Sequence, residues 1–168
     1  MTKLFAGAPR TKLIAAASAF IWTIAIATSA RGVQLQAARV TQVVKDVKVV
    51  LEKAAPRPVA LSDLISHGTP VSTGTQSRSE LTFNDLTVTR LGANTTFSFK
   101  PGTREMNLID GAILFQVPKG SGGATIKTAG VTAAITGTTG IAEFHPATTS
   151  HPHLFSKWLC LEGTFRLY

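Results

Sequence analysis

Three histidines, His145, His151 and His153, share one short stretch with Pro146 and Pro152. A His-x-His pair with a third imidazole upstream is a donor set that zinc or copper accepts. The stretch supplies no Asp, Glu or Cys, and its prolines stiffen it, so exposed loop histidines are expected and no metal ligand is assigned. Cys160 is the only cysteine and cannot close an intramolecular disulfide. No histidine neighbours it in the sequence, so a buried or half-buried structural thiol is expected, not a nucleophile. The carboxylates Asp63, Glu80, Asp85, Glu105, Asp110, Glu143 and Glu162 fall singly at turns or on outward strand positions. Glycoside hydrolysis needs two that converge across a cleft, and a hydrolase here would require Glu143 or Glu162 to face a second carboxylate. Neither Gly-x-Ser-x-Gly nor His-Glu-x-x-His occurs, and the Gly-Thr-Thr-Gly run from Gly137 to Gly140 lacks the Lys-Ser/Thr ending of a phosphate loop. No catalytic residue and no cofactor is therefore assigned, and the chain reads as a non-enzyme. Arg78 and Glu80 share one strand face, with Arg90 on a neighbouring strand. They suit either a surface ion-pair ladder or a partner-binding face, since exposed sheet edges recruit strands.

The elements that must position these groups are strands. From Val40 onward the hydrophobic pattern has period two: "VTQVVKDVKVV" alternates around Val47 and Val49, and "AAPRP" breaks it. Short runs such as "ELTF", "TVTRLG", "TFSF", "AILFQV", "ATIKT" and "WLCLEGTFRLY" follow, with turn residues between them. About ten short strands at regular spacing predict an all-β fold, a solenoid-like coil or a twisted β-sandwich. The segment "TAAITGTTGIAEF" (Thr132 to Phe144) is nearly all small residues, yet Ile135, Ile141 and Phe144 interrupt it. Small side chains among β-branched ones predict close backbone packing or a sharp bend in a sheet. In the last run the alternation places Leu159, Leu161, Phe165 and Leu167 on one face.

Charge and the amino terminus set the compartment. The net charge is +8, from 17 basic and 9 acidic residues. Lys3, Arg10 and Lys12 precede an uncharged run from Leu13 to Ala30, and the remaining basic residues are scattered without an interleaved stacking platform. Nucleic acid is therefore not an expected partner, and a solvated basic surface is. A basic start, an apolar stretch and small-x-small ends such as Ala25-Ile26-Ala27 are the layout of a secretory signal. Residues 1–30 thus read as a signal peptide, or as a membrane anchor if uncleaved, followed by a linker over 31–39 and a β domain over 40–168. The product is periplasmic or otherwise exported, and it contacts a membrane only if the first segment is retained.

Several spaced motifs appear within that β domain: Thr73-Gly74, Ser77-Arg78-Ser79-Glu80-Leu81, Arg90-Leu91-Gly92, Asp110-Gly111, Thr128, Gly137-Thr138 and Leu161-Glu162-Gly163. In this order they resemble the FecR domain family over about 100 residues. The resemblance implies a periplasmic, non-enzymatic β domain in which Thr73, Gly74, Leu91, Gly92, Gly111, Gly137, Thr138, Glu162 and Gly163 are structural. It implies a binding and signalling module that recognises another cell-envelope protein, such as a TonB-dependent outer-membrane transporter or a membrane regulator. The alternative is a structural protein or one that binds anionic envelope polysaccharide through its basic surface. The chain departs from the family pattern in three ways. The 12 residues before the apolar run leave no room for a cytoplasmic anti-sigma segment, the usual Asp-Gly turn reads Asp85-Leu86, and "HPATTSHPHLFSK" replaces a short link before the last strand.

Overall fold

A computed structural model describes residues 34–168 apart from Glu52 and His67, so the signal segment expected over 1–30 lies outside the described residues. All regular structure among them is β. The strands are β1 (Ala38–Val44), β2 (Val47–Val49), β3 (Arg57–Pro58), β4 (Leu64–Ile65), β5 (Val71–Thr73), β6 (Arg78–Phe83), β7 (Val88–Leu91), β8 (Thr96–Lys100), β9 (Glu105–Gln116), β10 (Ala124–Lys127), β11 (Thr132–His145) and β12 (Phe155–Leu167). The strand count exceeds the expected ten because two-residue β3 and β4 are too short to leave an alternation in the sequence. The sheet also starts earlier than the pattern suggests. Leu35, paired with Thr103, and Ala38 are both fully buried.

All twelve strands join one sheet, curled into a half-barrel, where the sequence left solenoid and sandwich open. Its main path runs β3-β2-β5-β8-β9-β7-β6-β1-β4, and every pairing is antiparallel except β9 with β10. The inward alternate residues form a single core rich in Phe97, Phe99, Phe115 and Phe144, with Phe83 and Phe99 meeting edge to face at 4.9 Å.

β9 is the spine, because it changes neighbours halfway. Glu105 to Asp110 pairs with β8 on one edge, and Glu105 to Asn107 pairs with β10 on the other. Past Gly111 the same strand pairs with β7 and β11. The bend needs glycine twice over. Its φ is +93°, and a Cβ there would lie 2.6 Å from the Thr95 Cα. The buried hydroxyls beside it hold the turn. Thr95 Oγ1 donates to the Ala112 carbonyl at 3.1 Å, and Thr73 Oγ1 donates to the Gly92 carbonyl at 2.6 Å while accepting from the Thr95 amide at 2.9 Å.

The small residues of β11 have a packing cause. Ala133 and Ala142 are fully buried, and a Cβ on Gly140 would come 2.6 Å from the Phe115 ring. The strand lies flat on that ring because nothing projects from it. β12 pairs with β11 throughout, but its register slips around Glu162 and Gly163. Two residues therefore share one face there, which corrects the apolar face read from the alternation. Leu159 lies opposite the outward Ile141, whereas Phe165 and Leu167 lie opposite the core residues Ile135 and Ala133.

Candidate partner-binding surfaces

The face that carries Arg78, Glu80 and Arg90 is built by β1, β6 and β7. β6 alternates from exposed Arg78 through buried Ser79, Leu81 and Phe83, so its even-numbered residues point outward. Glu80 and Arg90 are directly opposed in the register, and Arg90 Nε donates to Glu80 Oε2 at 2.6 Å. Thr41 is the bulged residue of β1, and its hydroxyl donates to Glu80 Oε1 at 2.7 Å. That hydroxyl foremost, then Arg90, holds the Glu80 carboxyl below its usual range despite partial burial. Arg78 stands apart: it lies opposite Val44 and forms no ion pair among the described residues. The structure thus joins two of the three candidates into a rung. Exposed Arg39, Arg78 and Arg90 leave the face net positive around one carboxylate.

His145 is not a loop histidine. It ends β11, and its Nδ1 meets Asp110 Oδ1 at 2.9 Å while its Nε2 meets Glu143 Oε1 at 3.3 Å. The Asp110 hydrogen bond raises the imidazole pKa against a smaller opposing effect of burial, and the still smaller contribution of the hydrogen bond to Glu143 adds to the rise. Asp110, His145, His151, His153 and Phe155 line a cleft of about 430 Å³. With both ring nitrogens of His145 engaged and His151 Nδ1 at 3.2 Å from Ser150 Oγ, no group of three or more His, Cys, Asp or Glu among the described residues is arranged to hold a metal. Glu143 faces Asp110 through this imidazole, and Glu162 sits at the surface 3.5 Å from Lys119 Nζ.

Two expectations fail for tertiary reasons. Asp85 is not an outward turn residue. Its side chain is 2% exposed and accepts from Arg104 Nη2 at 2.6 Å and from both the amide and hydroxyl of Thr87. Arg104 also donates through Nη2 to Ser121 Oγ and through Nε to the Gly123 carbonyl, tying the β6–β7 turn to the β9–β10 connection. The signal for this pair was faint, since Asp85 and Arg104 are 19 residues apart on unrelated elements. Cys160, expected buried or half-buried, is exposed because β12 pairs only with β11 among the described residues and stands at the margin of the sheet. Exposed Leu159 and Leu161 flank it.

The remaining motif residues serve the fold. Thr138 Oγ1 donates to the Thr164 carbonyl at 2.5 Å beside Gly137 and Gly163, and Gly92 packs against the Ala112 carbonyl. Gly74 accepts the Ser77 and Asn94 amides on its carbonyl, and Leu91 is buried. Among known families, the model described as FecR protein matches residues 69–152, half of the chain. No curated protein and no solved structure matches it.

Proposed function

The chain belongs to the FecR family, a family of signalling and regulatory proteins, and from that premise we propose that it is an exported, non-catalytic module that recognises another protein of the cell envelope. The observation that carries the reading is the family match across residues 69–152, the stretch from β5 to β11 that forms the bent centre of the sheet. Its motif threonines and glycines are consumed by folding contacts, so recognition falls to outward side chains. The Arg78, Glu80 and Arg90 face suits that role: it is an exposed, positively charged strand surface with one arginine free of the rung. A TonB-dependent outer-membrane transporter or a membrane regulator is the class of partner proposed, and the periplasm or another exported compartment is its place.

Capture from the envelope tests this. The full chain with an affinity tag is crosslinked in the envelope fraction at low and at moderate salt. One envelope protein recovered at both salts, and lost with Arg78→Glu, is the expected result. Recovery of only salt-sensitive anionic polymer would replace the reading with a structural or polysaccharide-binding role.

A further inference from the structure

β12 is a 13-residue strand whose only partner among the described residues is β11, so one full edge of backbone donors and acceptors is open. Sheets ordinarily blunt such edges with charge, proline or brevity. This one is long, and between Lys157, Glu162 and Arg166 its exposed side chains are mostly large and apolar. Six of the eleven exposed large hydrophobic side chains among the described residues, from Leu154 to Tyr168, lie on it or beside it. It also lies beyond the stretch matched by the family, which ends at residue 152.

The order of side chains along the edge is self-complementary. Cys160 is the centre, Leu159 and Leu161 flank it, Lys157 lies on one side and Glu162 on the other. When two such strands run antiparallel about a twofold axis normal to the sheet, each residue meets one of the same face. With the axis at Cys160, Leu159 faces Leu161 of the second copy. The slip at Glu162 brings that carboxylate to the outer face, within reach of the second copy's Lys157, and the symmetry makes this contact twice. Gly163, at φ +86°, turns the strand beyond and ends the matching segment. From this charge and shape complementarity we infer that β12 is a homodimerisation edge: two copies of the chain pair through antiparallel β12 strands centred on Cys160. The inference goes beyond the proposed recognition of an envelope partner, which uses the opposite flank of the sheet.

The test is a charge swap read by association. Two differently tagged copies of the full chain are co-expressed, extracted in mild detergent and purified through one tag. Wild-type copies co-purify. Lys157→Glu alone places two carboxylates at each contact and Glu162→Lys alone places two ammonium groups there, so each variant loses co-purification with itself. A mixture of the two variants regains it, because every contact is again of opposite sign. A short bis-maleimide joins Cys160 to Cys160 in the wild type and in the mixture, and not in either variant alone or in Cys160→Ser. Unchanged co-purification of the single variants, failure of the mixture to recover, or a Cys160 adduct to a different protein would each overturn the pairing.

Discussion

At the scale of single residues, two positions in the β6–β7 turn make opposite predictions. Leu86 holds φ at +65° in the turn between β6 and β7, where the family pattern has glycine, and it is 72% exposed. The left-handed conformation costs a non-glycine residue roughly 1–2 kcal/mol. Little packing offsets that cost, so Leu86→Gly should raise the denaturant midpoint by about 1 kcal/mol of stability at unchanged slope. Its neighbour Asp85 is the reverse case. Asp85→Ala removes the buried carboxylate that binds both the Arg104 guanidinium and Thr87, while Arg104 keeps Ser121 and the Gly123 carbonyl, so it should destabilise by about 1.5–3 kcal/mol, measured by urea unfolding. His145 adds a pH dependence. Its pKa is raised in the folded chain by Asp110 and Glu143, so the stability these contacts contribute is full below the ordinary imidazole value of 6.5 and is lost as pH rises through the higher folded value. The melting temperature of the wild type should therefore fall across that interval more than that of His145→Gln, and a flat difference between them would show that the contacts do not form.

Elements behave as their bends dictate. β9 serves two sets of neighbours only because it turns at Gly111, where both φ and the contact with Thr95 exclude a side chain. Gly111→Ala must move the 92–95 turn and disturb four strand pairings together. Its expected loss, more than about 3 kcal/mol, combines left-handed strain with overpacking, and thermal unfolding measures it. The hydroxyl node nearby makes a smaller and separable prediction. Thr73→Val keeps the volume but leaves the Thr95 amide and the Gly92 carbonyl short of a partner, for about 1–3 kcal/mol by the same measurement. Alternation alone assigns β6, β7 and β8 correctly, because each is short and regular. It misassigns the second half of β12, since a bulge reverses every face beyond it and leaves no mark in the hydrophobic pattern.

At the scale of the whole molecule, the described residues form one sheet around one core, so no part of that core can melt while the rest stays packed. Far-UV dichroism and the side-chain resonances of Phe97 and Phe115 should report a single urea midpoint, and separate midpoints would show independent subunits of the fold. The sequence by itself determined what is local and periodic. It showed the all-β class, most strand positions, the need for small residues in β11 and the FecR motif series, because each residue's alternation and turn chemistry are written at that residue. Only the tertiary structure decided which edges stay open, which faces a bulge inverts, and that Asp85 meets Arg104 and His145 meets Asp110. Those depend on which distant segment arrives alongside, and that is fixed by the simultaneous closure of a sheet whose spine changes neighbours at a single glycine.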